Sequence, residues 1–226
     1  MPIFQLTSDL VFPNPELSED DGLLAIGGDL SPERLLLAYS NGIFPWFNEG
    51  DPILWWSLNP RLILFPDEFK CSNSLRRTIK SNQFEIKFDC RFAEVIQQCS
   101  NVIRNDQEGS WITQEMKVAY CRLHELGYAH SVETYFEGSL VGGLYGIAIG
   151  KAFVGESMFH TMRDASKFAL YHLQSYLKYM DFHFIDAQQP TSHLISLGAR
   201  EIERKQYLIL LENAAKVKTE AIKWKV

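Results

Sequence analysis

The sequence predicts a mixed α/β protein with a small N-terminal domain over residues 1–60 and a larger domain over residues 61–226. Three observations carry this expectation. After residue 60, strand-like and helix-like apolar patterns alternate along the chain. Two apolar runs, around 130–136 and 140–149, are joined by the tight turn Glu137-Gly138, which predicts a hairpin. A third apolar run, a long helix and a buried strand follow, which adds a crossover and makes the sheet a mixed one flanked by helices.

The elements follow in chain order. The acidic, Pro- and Gly-rich start has no Lys or Arg before Arg34 and predicts loops feeding one helix. That helix is capped by Ser31, opens on Pro32 and ends at Gly42. A turn at Glu49 to Pro52 leads to a strand over 53–56. Residues 62–65 predict a strand, 74–80 a short helix, 84–88 a strand and 92–103 a helix. Thr113 caps a helix whose apolar face holds Met116, Ala119, Tyr120, Leu123 and Leu126, and Gly127 ends it. Beyond the hairpin come a strand over 152–159, a helix near 164–180 and a strand over 182–185. A short helix stopping at Gly198 follows, then two strands near Glu201 and over 207–211, and a solvated or loosely docked tail.

Composition narrows the function classes. A net charge of −6 argues against a protein that coats nucleic acid non-specifically, yet it leaves a local basic patch open. The four cysteines, Cys71, Cys90, Cys99 and Cys121, have no metal-ligand spacing and suit a reducing, cytoplasmic setting without a disulfide framework. The start lacks a basic n-region, and the uncharged stretch 139–150 is too short to span a bilayer. No phosphate-binding glycine loop, dinucleotide fingerprint, zinc-protease motif or nucleophile elbow is present, and the six histidines are scattered. No metal is expected.

Three segments stand out chemically. Glu156 sits in an otherwise apolar strand, GESMF, where Glu156 and Met158 share one face by strand alternation. It is either an edge carboxylate in water or one aimed into a cleft to receive an amine. Asp186 closes a strand at its C-terminal end, with Gln188 on the same face if the strand continues. The two are either turn caps or a proton-accepting and amine-orienting pair. The aromatics Trp46, Trp55, Trp56, Trp111 and Phe153 form either core or an apolar pocket with a base-stacking surface. Arg61, Lys70, Arg76, Arg77 and Lys80 make a modest basic cluster, either a solvated face or a phosphate-tracking patch.

These segments, together with GLLAIGGDLSPERLLLAYSNGIFPWF, DPILWWSLNPRLIL, LVGGLYGIAIGKAFVGESMF and IDAQ, resemble the leucyl/phenylalanyl-tRNA–protein transferase family in order and spacing, from about residue 12 to 210. The resemblance implies a C-terminal domain with the N-acetyltransferase (GNAT-like) superfold. It implies transfer of Leu or Phe, and less well Met, from aminoacyl-tRNA to proteins beginning with Arg or Lys, which marks them for degradation. It implies no cofactor, and a monomer is the default.

By position, Trp46, Trp111 and Phe153 would form the aminoacyl pocket. Two further pocket positions fall on Leu144 and Leu173, where the family pattern has Met and Phe, and such smaller walls would favour the bulkier donor. Ala187 replaces a family Cys and is expected to point away. Asp186, Gln188 and Glu156 would be the catalytic group, with Asp186 either a general base or, if the ribose hydroxyl shuttles the proton, an electrostatic element. The basic cluster would hold the tRNA acceptor stem. Two rival readings are a CoA-dependent N-acetyltransferase and a non-catalytic tRNA-binding module. The absence of glycine from His160 to Lys167, where a CoA pyrophosphate would need backbone amides, counts against the first.

Overall fold

The computed structural model describes residues 3–102 and 110–224. Its chain order is β1 (Phe4–Leu6), β2 (Leu23–Gly27), α1 (Pro32–Ser40), β3 (Phe44–Pro45), β4 (Leu54–Trp56), β5 (Arg61–Leu64), α2 (Asn73–Lys80), β6 (Glu85–Phe88), α3 (Phe92–Ser100) and α4 (Gln114–Glu125). It continues with β7 (Ala129–Phe136), β8 (Ser139–Ile149), β9 (Ala152–His160), α5 (Ala165–Tyr179), β10 (Phe184–Gln188), α6 (Ser192–Ser196), β11 (Arg200–Ile202) and α7 (Arg204–Ala215).

A four-stranded sheet of order β1-β2-β4-β3 is built from residues before 57, and a seven-stranded sheet of order β11-β5-β10-β9-β8-β7-β6 from residues after 60. The large sheet is mixed: β9 and β10 are parallel, and its other pairs are antiparallel. The mixed α/β fold class expected from the sequence is the one observed. One apolar cluster joins both sheets, with Leu24 and Trp55 from the small one packed into the same core as Tyr120, Ile147 and Leu211. A second cluster lies between the large sheet and α5.

Local chemistry accounts for the elements that the sequence announces. Ser31 and Thr113 accept from the amides of Arg34 and Met116 at the starts of α1 and α4. Glu137 and Gly138 both have positive φ, 48° and 77°, the two-residue turn whose twist matches a hairpin.

Four expectations need correction. The start is not all loop, because β1 pairs in parallel with β2, Phe4 opposite Ala25. Residues 207–211 are helical rather than a strand: Tyr207, Leu211 and Ala214 are the buried ones, at helical spacing on one face of α7. The strand expected over 182–185 begins at Phe184, two residues later, and runs to Gln188. The tail is docked, with Trp224 only 5% exposed. The expected end of the helix at 103 lies outside the described residues. Among the described residues no helix is long and apolar enough to cross a membrane.

Candidate active site

β9 and β10 run side by side only as far as Val154 opposite Asp186. Beyond that point the strands continue unpaired with each other, and a cavity of about 400 Å³ opens there. The carboxyl end of a parallel pair is a common place for a site in sheets of this kind.

The sequence-expected pocket residues Trp46, Trp111, Leu144, Phe153 and Leu173 all line this cavity, as do Glu156 and Gln188. Phe44, Tyr145, Leu170, Ile185 and Leu194 are among its other apolar lining residues, and sequence reasoning did not find them. Trp55 and Trp56 take other places. Trp55 is fully buried core, and Trp56 donates its indole N–H to the carbonyl of Trp46 at 2.7 Å while tilting against the Trp46 ring.

Two bulges aim the polar groups. In the β8–β9 pairing the register passes from Tyr145 opposite Ser157 to Gly146 opposite Gly155, so Glu156 is an extra residue on β9. Its carboxylate turns toward α1 and α4. Met158 packs on the other side, in the cluster under α5, so the two do not share a face. The extra residue resets the alternation. In the β10–β5 pairing the register shifts between Asp186 and Gln188, and Gln188 takes a φ of 52°. Ala187 consequently faces the cavity instead of pointing away.

Glu156 accepts from the Tyr39 hydroxyl at 2.9 Å, the Tyr120 hydroxyl at 3.0 Å and the Gln188 side-chain amide at 3.1 Å. The two tyrosine hydroxyls also touch each other. Burial, together with the nearby Asp186 carboxylate, pushes the Glu156 carboxyl up to about 7, against the pull of the two phenols and of Arg61. Burial and the Glu156 charge likewise hold both phenols well above their ordinary range, so they remain donors. Tyr39 and Tyr120 fall on apolar helix faces, and nothing in the sequence separates them from core residues.

Asp186 is placed differently from the expectation. It is fully buried and does not line the cavity. Its Oδ1 accepts from Arg61 Nε at 2.8 Å and from the Gln188 backbone N–H at 2.9 Å. Its Oδ2 accepts from Arg61 Nη2 at 2.7 Å and the Tyr207 hydroxyl at 2.8 Å. With its acceptor positions filled by a cation and two neutral donors, it is poorly placed to take a proton from a substrate in the cavity.

Arg61 therefore does not belong to the basic patch. It is 1% exposed, its guanidinium is spent on Asp186, and it lies over the Phe44 and Tyr207 rings. A lone Arg in the apolar run RLIL was the available signal, because a buried charge requires a partner. Lys70, Arg76, Arg77 and Lys80 are exposed, on α2 or just before it. Arg163, 85% exposed, reaches Ser74 of α2 and extends this basic surface beyond the residues expected.

The family model described as leucyl/phenylalanyl-tRNA protein transferase matches residues 63–212, and that of its N-terminal domain matches residues 28–59. The leucyl/phenylalanyl-tRNA–protein transferase of Syntrophobacter fumaroxidans is 57% identical over 96% of this chain and 93% of its own. That of Thermodesulfovibrio yellowstonii is 53% identical over 99% of this chain and 91% of its own. Among solved structures, L-PGS from Bacillus licheniformis overlaps with a TM-score of 0.40 at 14% identity, covering 76% of this chain and 54% of that one. The chain belongs to the leucyl/phenylalanyl-tRNA protein transferase family.

Proposed function

We propose that the cavity holds a leucyl or phenylalanyl side chain still esterified to tRNA, and that Gln188 and Glu156 present to its carbonyl the α-amine of a protein beginning with Arg or Lys. Met would be a weaker donor. The observation that carries this reading is a carboxyl poised near neutrality at the edge of an apolar cavity and tied to Gln188.

The chemistry follows from the ester. The carbonyl is already activated, so the amine must lose a proton and be held in line. An α-ammonium titrates near roughly 7.7–8.0, close enough to Glu156 for efficient transfer of that proton. The free amine then attacks the carbonyl carbon, the C–N bond forms and the bond from that carbon to the ribose oxygen breaks. The amine's second proton leaves with the ribose oxygen. Products are a peptide bond, uncharged tRNA and one proton held on Glu156 until solvent takes it.

Asp186 acts through others in this scheme. It neutralises Arg61 and fixes the backbone of Gln188. The exposed residues Lys70, Arg76, Arg77 and Lys80 hold the acceptor stem through its phosphates, and the protein works as a monomer in the cytoplasm.

The test is transfer of labelled Leu, Phe and Met from their tRNAs to a peptide starting with Arg, across pH 5–9. The rate should rise with pH through about 7, and Glu156→Gln should remove that rise together with most of the activity. A Glu156→Gln enzyme with the wild-type profile would refute the assignment of the proton to this residue.

A further inference from the structure

Among the described residues, 216–224 beyond α7 form no regular element, yet the molecule is shaped to receive them. The Gly150 N–H donates to Thr219 Oγ1 at 2.7 Å. The tail passes Gly127 so closely that a Cβ there would stand 2.5 Å from the carbonyl carbon of Ala221. A Cβ on Gly150 would stand 2.1 Å from the carbonyl oxygen of Ala214 in the last turn of α7 and 2.7 Å from that of Val217 in the tail. Glycine at both positions leaves the room that the strap needs.

The strap brings in Trp224. Its backbone N–H donates to Asp89 Oδ2 at 2.7 Å, and the same oxygen meets His130 Nδ1 at 2.8 Å. The indole lies flat on the His130 imidazole, with ring centroids 3.9 Å apart and 4° between planes. It also packs against Tyr176 at 4.9 Å and Phe153 at 5.5 Å. Phe153 is fully buried and lines the cavity, whereas Trp224 does not. The indole thus stands behind the ring that forms the cavity wall.

We infer that Trp224 is a positioning residue for donor choice: carried in by the C-terminal strap, it holds Phe153 against the cavity and so sets how large a side chain the cavity accepts. The inference rests on the reading that this cavity takes the donor side chain. Physically, an aromatic wall keeps its place only while the space behind it is filled, and deleting a buried indole leaves a void into which neighbours relax. A retreating Phe153 enlarges the cavity, and the added room helps Phe more than Leu.

The experiment compares kcat/KM for Leu-tRNA and Phe-tRNA in the wild type, Trp224→Ala, Trp224→Leu and Trp224→Phe, with an Arg-starting peptide as acceptor. The Phe-to-Leu ratio should rise at least about fivefold in Trp224→Ala, in keeping with one or two methylene equivalents of space. Trp224→Phe should return it to within about twofold of wild type, and binding of uncharged tRNA should stay unchanged. If Trp224→Ala does not fold, Trp224→Leu is read in the same way. A variant that loses both donors in proportion, with the ratio unmoved, overturns the inference and leaves Trp224 a structural residue. A wild type that transfers neither donor overturns the reading of the cavity instead, so the two failures are distinguishable.

Discussion

Arg61 and Asp186 form a two-pronged ion pair with both side chains almost fully buried, one on β5 and the other on β10. Removing one partner strands the other charge in the interior, which costs roughly 3–5 kcal/mol. Asp186→Asn should therefore lower stability by about that amount, and Arg61→Met in the same chain should recover part of it. Urea denaturation of the two single variants and the double variant checks this. If Asp186 only positions Gln188, the Asn variant keeps a pH midpoint in whatever activity remains, moved below 7 because the carboxylate that helps raise Glu156 is gone. A midpoint lost in Asp186→Asn and kept in Glu156→Gln would move the proton acceptor back to Asp186.

Glu156 makes stability depend on pH in a direction opposite to most carboxylates. Its carboxyl is raised from an ordinary 4.5 to about 7 in the folded protein, so the folded state binds the proton more tightly than the unfolded chain. Stability contributed by the protonated form is full below pH 4.5 and declines as pH rises toward 7, with each unit of difference worth about 1.4 kcal/mol before solvent screening. Above 7 this contribution stays flat. Glu156→Gln should gain on the wild type steadily between pH 5 and about 7 in denaturant titrations. Parallel curves for the two proteins over that window would exclude the shift.

What the sequence made legible was local. Ser31, Thr113 and the Glu137-Gly138 turn work through neighbours a few residues away, and each behaves as its type dictates. The cavity wall was legible through resemblance, residue by residue. The Arg61–Asp186 pair was not, because its partners lie 125 residues apart and only the strand order brings them together. Nor were the bulges at Glu156 and Ala187, since one extra residue reverses which face every later side chain takes and leaves no mark in an apolar run. Residues 207–211 failed for a related reason: a short apolar stretch fits a buried strand or a helix face equally well.

Tyr39 and Tyr120 tune Glu156 without lining the cavity themselves. Their hydroxyls stabilise the ionised carboxylate and so hold its titration down against burial. Replacing either with Phe should move the midpoint of the transfer rate to higher pH, and the double variant should move it further. At pH 7 the rate falls accordingly, while at pH 9 most of it returns. A loss that is uniform across pH would mean that the phenols act by packing alone.

Along α2, Arg76, Arg77 and Lys80 face solvent with Lys70 close by, and Arg163 reaches Ser74. Contacts of this kind release counterions, so each lost phosphate contact should reduce the salt dependence of tRNA binding by about one unit of slope. Arg76→Gln and Arg77→Gln should raise KM for the charged tRNA with little change in kcat. Arg61→Gln should leave the slope alone and lower stability instead. Binding isotherms at three salt concentrations separate these outcomes, and an unchanged slope in the α2 variants would place the acceptor stem elsewhere.

Leu144 and Leu173 belong to the apolar part of the cavity wall, and a leucyl, phenylalanyl or methionyl side chain has no strong hydrogen-bonding group for the polar part to read. Selection among Leu, Phe and Met then depends on volume. In such a pocket the addition or loss of a methylene equivalent shifts discrimination by roughly 1–3 kcal/mol, about 10- to 200-fold. Leu173→Phe adds most of a ring to the wall and should cut kcat/KM for Phe-tRNA at least about tenfold relative to Leu-tRNA. Leu144→Met changes the volume little and should move the ratio by less. Competition between the two charged tRNAs in one reaction measures this directly. A Leu173→Phe enzyme that still takes Phe as readily as before would mean that the donor side chain lies somewhere other than this cavity.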